Sequence, residues 1–170
     1  MKFKLTEETQ TVNGVKLFRI EYADGSRGGW LEKDSNLSQE GNARVSGNAQ
    51  VRGNAWVSGN ARVYGDAQVS GDTQISGDAQ VSGTARVYGD ARVRGGVWEK
   101  SPLYIQGSKH SLTNSKPGHL KIGCMEHPVA FWKEQFKAIG GARGYTAEEI
   151  EEYGAYIDLF IKDAFIIEKF

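Results

Sequence analysis

The side chains that could act as nucleophiles, bases or metal ligands cluster between positions 108 and 127. They are Ser108, His110, Cys124 and His127. Cys124 and His127 have a C-x-x-H spacing, which is typical of zinc ligation or of a thiol nucleophile beside an imidazole. A zinc site needs two further ligands, and the other histidines, His110 and His119, are distant in sequence. A catalytic thiol needs a base within reach and an oxyanion site. Packing is therefore the favoured interpretation of Cys124, with His110, Cys124 and His127 kept as catalytic candidates and no metal ligand assigned.

The segment that must position these residues, 99–170, has the pattern of a small α+β unit. Repeats stop at Ser101-Pro102, and Lys, Glu and aromatic residues become frequent. Short alternating apolar runs predict strands, and Gly, Pro and Asn predict a turn between them. The predicted strands are 103–106, 119–122 and a short one near 110–112, with a turn-rich stretch at 113–118.

Two helices are predicted after these strands. His127-Pro128 opens the first helix and Gly140-Gly141 stops it, since Pro suits a first helical turn and Gly suits a helix end. Thr146 and Glu149 form a capping box that begins the second helix. Apolar side chains recur at helical spacing at Val129, Trp132, Phe136 and Ile139, then at Ile150, Tyr153, Ile157 and Phe160. The run Phe165–Ile167 is apolar enough to need a partner surface.

Residues 41–98 repeat Gly-(Asn/Asp)-Ala-x-Val-x every six residues, ending in a broken copy, GGVWEK. In each copy the alternation sends Ala and Val to one face and the variable residues to the other. The Gly-Asn or Gly-Asp pair turns a corner, because both types tolerate left-handed backbone conformations. The interior is predicted to hold Ala and Val, with Thr73 and Ile75 as exceptions.

Residues 1–40 are predicted to form a β cap of two or three short strands over the end of this body, since an open end exposes unpaired backbone and apolar core. Asn13-Gly14 and Asp24-Gly25 favour tight turns. Gly28-Gly29 is interpreted as a structural turn, because no helix follows it to make a phosphate loop. Leu37 is interpreted as an imperfect leading repeat.

The phase Val45-Ser46-Gly47-Asn48-Ala49-Gln50 resembles the hexapeptide-repeat, left-handed parallel β-helix family. The resemblance implies a mainly β fold with a left-handed helix of about three 18-residue coils, and a trimer. Enzymes of that family, such as acyltransferases, need a histidine on or beside the helix. Residues 41–98 contain no His, Cys or Lys. The sequence therefore favours a non-enzymatic protein without a cofactor, although an enzyme stays open.

Outward positions eighteen residues apart are expected to stack on adjacent coils. Arg44 would then lie over Arg62, a like-charge stack that needs an acid from another chain or ligand. Arg and aromatic residues are enriched in interfaces, so the outward exceptions are candidates for a subunit interface or an anionic-ligand site. A solvated face with scattered Arg is the plain alternative. The candidates are Trp56, Arg62, Tyr64, Arg86, Tyr88, Arg92 and Arg94.

The overall composition makes some functional classes and cellular locations less plausible. With 21 basic and 21 acidic side chains, net charge gives no case for sequence-specific nucleic-acid binding. One cysteine excludes an internal disulfide and fits a reducing cytoplasm. The first ten residues contain no apolar signal region, and no run reaches the roughly 20 apolar residues of a membrane helix. A cytoplasmic protein without membrane contact is expected.

Three stretches give the whole chain a further resemblance, to small hexapeptide-repeat proteins of phages and prophages. They are GGWLEKDSNLSQEGNARV, the repeat, and YIQGSKHSLT…LKIGCMEHPVAFW…GYTAEEIEEY. The resemblance implies an accessory protein that binds or sequesters a host protein or an anionic, nucleotide-like small molecule. Such binding is expected to counteract host defence. The alternatives are a divergent acyl or nucleotide transferase with a site at the subunit boundary, and a structural spacer in a virion or assembly.

Overall fold

The computed structural model describes residues 1–167, with side chains described as far as Lys162. The chain divides into two compact units, Met1–Pro102 and Leu103–Phe170. The side chains of Phe165–Ile167, predicted to need a partner surface, lie outside the described residues. Neither helix within residues 1–167 combines the length and apolar character that crossing a membrane requires.

The first unit begins with an antiparallel β meander. Its strands are β1 (Phe3–Val12), β2 (Val15–Tyr22) and β3 (Arg27–Leu31). Asn13 and Gly14 have φ values of 51° and 79°, the geometry of the predicted hairpin turn. Strand β3 then pairs in parallel with residues Gln50 and Val51, which form a strand of the first coil of the repeat. The meander therefore continues directly into the repeat body.

Gly28 and Gly29 lie within strand β3, so their interpretation as a turn is wrong. A Cβ at Gly28 would come within 2.3 Å of Ile20, and one at Gly29 within 2.7 Å of the carbonyl oxygen of Ala49. The two glycines therefore let β3 approach strand β2 and the first coil more closely than any side chain would permit.

The repeat forms a solenoid of stacked coils with about four turns. Its two-residue strands are β4 (Arg44–Val45), β5 (Gln50–Val51), β6 (Trp56–Val57), β7 (Arg62–Val63), β8 (Gln68–Val69), β9 (Gln74–Ile75), β10 (Gln80–Val81), β11 (Arg86–Val87), β12 (Arg92–Val93) and β13 (Val97–Trp98). They stack into three parallel sheets, here called the first face (β4-β7-β10-β13), the second face (β3-β5-β8-β11) and the third face (β6-β9-β12).

The predicted stacking of residues eighteen apart is confirmed. Arg44 pairs with Arg62 on the first face, and Trp56 pairs with Gln74 on the third. The coils are joined by backbone hydrogen bonds such as Arg44 N to Ala61 O at 2.9 Å. The predicted interior is also confirmed for the nine regular copies, since their Ala and Val side chains and the exceptions Thr73 and Ile75 are at most 2 % exposed.

The corners carry side-chain ladders that join one coil to the next. Asn42 Nδ2 donates to Asn60 Oδ1 at 3.0 Å, and Asn60 Nδ2 donates to Asp78 Oδ1 at 3.0 Å. Asn48 and Asn54 donate in the same way to the Asp residues one coil further on. The order of the repeats explains the pattern, because Asn copies precede Asp copies and an amide donor then faces a carboxylate acceptor.

The broken copy forms an additional rung that the estimate of about three coils did not include. Val97 pairs with Gln80, one residue short of the regular spacing, and Gly96 has a φ of 82° at the shortened corner. Trp98 takes the interior position that Val holds elsewhere and is 5 % exposed. Its Nε1 donates to Gly95 O at 2.8 Å, which satisfies the indole N–H. The large indole of Trp98 therefore fills the interior of the last coil.

At the opposite end, one buried amide closes the first coil. Asn36 ends a short 3₁₀ helix (Asp34–Asn36) and is fully buried. Its Nδ2 donates to Gly53 O at 3.1 Å and to Ala55 O at 2.8 Å, and its Oδ1 accepts from Lys33 N at 2.9 Å. Leu37 bridges in parallel to Val57, which confirms it as a leading repeat position.

The second unit contains a four-stranded antiparallel sheet of β14 (Tyr104–Gln106), β15 (Ser111–Lys116), β16 (His119–Ile122) and β17 (Met125–Pro128). Strand β15 runs through most of the stretch predicted to be turn-rich, leaving the turn at Pro117-Gly118. Strand β17 was not predicted. His127 lies in β17, so its assignment to a helix start is wrong.

Two helices pack with this sheet, α1 (Val129–Ala142) and α2 (Ala147–Ile167). Helix α1 continues through the predicted stop at Gly140-Gly141, and the left-handed residue that follows it is Gly144, with a φ of 71°. The predicted capping box is confirmed, since Thr146 N donates to Glu149 Oε2 at 2.8 Å and Glu149 N donates to Thr146 Oγ1 at 3.2 Å. The core of the unit includes Leu112, Leu120, Trp132, Tyr153, Ile157 and Phe160.

Candidate binding face and pocket

The outward candidates are distributed over all three faces of the solenoid. Arg62 and Tyr64 belong to the first face, and Arg86 and Tyr88 to the second. The third face collects the remaining three candidates, Trp56, Arg92 and Arg94. The seven residues therefore do not form one site.

The third face is a flat strip with an aromatic residue at one end and two cations at the other. Trp56 is 45 % exposed, and it stacks over Gln74, which in turn stacks over Arg92. Because adjacent rungs are about 4.8 Å apart, the strip between Trp56 and Arg92 is about 10 Å long. Arg94 follows Arg92 on the same rung and is also exposed. Polar side chains of modest size separate the two ends.

The acid expected to compensate Arg44 comes from the same chain, so the expectation of a second chain or a ligand is wrong there. Arg44 pairs with Asp24 at 2.7 Å, and its guanidinium lies 4.4 Å from the ring centre of Tyr22. Hydrogen bonds from Ser26 and then from Arg44 lower the pKa of Asp24 to about 2, so this carboxylate stays charged.

The other outward arginines have no such compensation. Within residues 1–162, the guanidinium groups of Arg62, Arg86, Arg92 and Arg94 form no ion pair. An exposed cation costs little in water, but it gains energy when an acid on a partner is brought to it. Trp56 adds exposed apolar area on the strip that also carries two of these cations, so the third face combines both types of interface residue.

In the second unit, His110 and Cys124 line the same pocket and His127 does not. The ring of His127 stacks on Phe131 at 4.1 Å between centroids and meets the edge of Trp132 at 5.5 Å. The C-x-x-H pair is thus divided by the fold, because Cys124 occupies the turn before strand β17 and His127 lies within that strand.

Cys124 is exposed, which overturns its interpretation as a buried packing residue. Among the described residues, no group of three or more His, Cys, Asp or Glu is placed to hold a metal ion. The thiol lies at the pocket with an imidazole also in the lining, an arrangement that sequence spacing did not indicate.

A tyrosine of α2 holds the loop that carries His110. Tyr153 Oη accepts from Lys109 N at 3.1 Å and from His110 N at 2.5 Å, and it donates to His110 O at 2.8 Å. On the other side, Gly123 lies under the imidazole, and a Cβ there would come within 3.1 Å of the ring. These contacts fix the loop between β14 and β15 against the helix.

The pocket itself has an apolar floor and a polar mouth. The space in the pocket and at its mouth, open solvent included, is about 480 Å³, and about 40 Å³ admits the centre of a water molecule. The floor includes Ile122, Met125, Trp132, Phe136, Ile139 and Ile157. The polar groups are His110, Cys124, Arg143 and Tyr145. Burial and then neighbouring Tyr153 raise the pKa of Tyr145, so its phenol remains a hydrogen-bond donor.

Comparison with known protein families bears on the first unit. A family model described as a YdcK beta solenoid repeat matches residues 55–71 and 85–100. The chain contains a β-solenoid repeat. The matched segments cover the Trp56 rung and the Arg86 and Arg92 rungs of the solenoid. No curated protein matches the chain.

Sequence reasoning missed Arg143 and Tyr145 as functional candidates and treated Tyr153 only as part of an apolar stripe. The available signal was the segment between the two predicted helices, because loops that join packed elements often carry binding residues. Nothing in that segment marks which side chains face a pocket, since this depends on how α1 and α2 pack.

Proposed function

We propose that the protein is a non-enzymatic binding protein, assembled as a homotrimer, that holds an acidic partner protein on the third face of its solenoid. The observation that carries the proposal is the exposure of Trp56 on the same strip as Arg92 and Arg94, whose guanidiniums have no ion pair within residues 1–162. Trp and Arg are the residue types that dominate the energetics of protein interfaces.

The shape of the strip favours a protein over a small molecule. Small-molecule sites are concave, whereas the outer side of a solenoid sheet is flat and offers contact area along its rungs. The positive charge at the Arg92 end complements an acidic surface and would speed its association. An anionic small molecule is the alternative occupant.

A trimer agrees with the resemblance to hexapeptide-repeat proteins and with the charges on the other faces. Arg62 on the first face and Arg86 on the second also have no ion pair within residues 1–162. Contact between neighbouring subunits would bring the Asp residues of the corners to these cations. Light scattering on purified protein is expected to give three times the mass of one chain, and a monomeric mass contradicts this part.

The resemblance of the flanking segments to small phage and prophage proteins supports a host protein as the partner. The protein would then act in the host cytoplasm, where binding or sequestration could counteract a defence pathway. This role needs no catalytic residue on the solenoid, which agrees with a repeat that contains no His, Cys or Lys between residues 41 and 98.

The test is native mass spectrometry of protein taken directly from host cells. Wild-type protein is expected to carry a co-purified acidic protein, and the W56A/R92Q/R94Q variant is expected to lose it. R52Q is the control, because it removes the same type of charge from the second face at a residue outside the proposed contacts. Retention of the partner by the triple variant contradicts the proposal, and a bound metabolite in place of a protein selects the small-molecule alternative.

One observation favours the alternative of a divergent acyl or nucleotide transferase. His110 and Cys124 line one pocket, and a histidine is what such chemistry requires as a general base. Replacement of His110 and His127 by Ala is expected to leave the biological effect unchanged if the protein only binds. Loss of the effect in a folded double variant would support the enzyme.

A further inference from the structure

The pocket of the second unit offers apolar burial at its floor and donors at its mouth. Its floor is lined by aliphatic, aromatic and Met side chains from the sheet and both helices. The part that admits a water centre, about 40 Å³, exceeds the roughly 10–15 Å³ that one water needs. A short hydrocarbon chain fits such a space better than water does, because water would find few hydrogen-bond partners on the floor.

Arg143 and His110 supply the side-chain donors at the mouth that the described part of the protein does not itself engage, whereas the Tyr145 phenol is hydrogen-bonded to Tyr153. Within residues 1–162, the guanidinium of Arg143 forms no ion pair and neither ring nitrogen of His110 has a hydrogen-bond partner. Arg143 caps the C-terminal end of α1, immediately before the loop to α2. A fixed charge beside an apolar pocket selects an anion that carries an apolar group.

Two acids of α2, Glu149 and Glu152, are held by groups other than Arg143. Glu149 pairs with Lys109 at 3.1 Å and accepts from Thr146 N. Glu152 accepts from Ser108 N at 2.9 Å. Each carboxylate thus has a partner of its own, and Arg143 remains available for a ligand.

We infer that this pocket binds a small monocarboxylate, with its short alkyl or aryl group on the floor and its carboxylate at Arg143. The imidazole of His110 is a further donor at the mouth. Arg is suited to the task because its planar fork donates two parallel hydrogen bonds to one carboxylate. The site is independent of the third face, which lies in the other unit.

The experiment is a methyl NMR titration of the full-length protein with hexanoate, with hexylamine as a probe of equal length and opposite charge. Hexanoate is expected to shift the methyl signals of Ile122, Met125 and Ile139 in a saturable manner, while solenoid methyl signals stay in place. Hexylamine is expected to produce no saturable shift. In the series from propionate to hexanoate, affinity should rise by about fourfold per methylene until the floor is filled.

Variants separate recognition of the carboxylate from simple partitioning into an apolar gap. R143Q is expected to weaken hexanoate binding by about tenfold or more, because a charge-assisted pair is lost. K133Q, which removes an exposed charge from α1 outside the pocket lining, is the matched control and should leave the affinity unchanged. C124W, at the exposed mouth, should block binding in a protein whose solenoid spectrum is unaltered. Equal binding of hexanoate and hexylamine, an unchanged affinity in R143Q, or no saturable shift overturns the inference.

Discussion

The solenoid and the second unit bury their interiors in different ways. In the solenoid, small side chains repeat along the stack, so Val51 lies over Val69 and each rung has nearly the same surroundings as the next. In the second unit, large side chains such as Trp132, Tyr153 and Phe160 come from different elements and meet once. A regular interior specifies shape and leaves specificity to outward exceptions, whereas an irregular interior can enclose a pocket.

The strongest test of the regular interior is a charge placed inside it. V69D is expected to destabilise the protein by about 4 kcal/mol or more, because the carboxyl group is buried without a partner. Urea denaturation of V51D should show the same loss of unfolding free energy, since Val51 and Val69 occupy equivalent positions on adjacent coils. Q68D, whose side chain points outward from the same strand, should be close to wild type. Clearly unequal losses in V51D and V69D contradict the equivalence of rungs.

Loss of an Asn side chain is expected to destabilise the protein more at the end of the solenoid, at Asn36, than in a corner ladder, at Asn54. N36A should cost about 2 kcal/mol, because it leaves the buried carbonyl of Ala55 and the partly buried carbonyl of Gly53 without the amide that now donates to them. N54A, in an exposed corner ladder, should cost well under half of that. Thermal denaturation of the two variants measures the difference, and equal effects would show that the buried amide is not a specific closure.

Corner glycines test how closely the coils stack. G47A is expected to cost about 1–2 kcal/mol from its left-handed backbone alone. The total loss of stability in G47A should exceed this backbone contribution, because the new Cβ would lie 3.3 Å from Gly65 N. G118A, in the second unit, has similar φ but no atom within 4 Å of the Cβ position, so it reports backbone strain alone. If both changes have the same effect on the urea midpoint, stacking adds nothing at the corners.

A helix cap offers a smaller, local perturbation of the second unit. T146A is expected to cost about 1 kcal/mol, because the capping box at the start of α2 loses its hydroxyl acceptor. Hydrogen exchange should become faster in the first turn of α2 and remain unchanged in the solenoid. Faster exchange throughout the solenoid would contradict the local character of the effect.

The smallest expected effect is a pH dependence at Asp24. Its pKa is lowered from the ordinary 3.8 to about 2 by hydrogen bonds from Ser26 and Arg44. Because the folded pKa is below the unfolded one, the contribution to stability is complete above the ordinary value and is lost as pH falls towards 2. Carboxyl ¹³C titration by NMR should show the low pKa, and R44Q should move it upward. An unchanged pKa in R44Q contradicts a direct role for the guanidinium.

Local pattern predicted much of each unit. The six-residue period gave the alternation of buried and exposed residues, because alternation along a strand needs no knowledge of distant residues. The capping box at Thr146 was predicted for the same reason, since its partners are three residues apart. The errors fell where local signals were ambiguous: Gly28-Gly29 resembled a turn but serves a close approach, and Gly140-Gly141 resembled a stop but lies inside α1.

By itself the sequence determined that the regular copies, residues 41–94, stack as repeated strands, with Ala and Val inside and Arg, Gln and aromatic residues outside. Only the tertiary structure decided that Asp24 neutralises Arg44, that Asn36 closes the first coil, and that Arg143 lies at the same pocket as His110. The physical reason is the sequence separation of the interacting residues. A period of six is set by backbone geometry within a few residues, whereas these contacts join segments that come together only when the chain has packed.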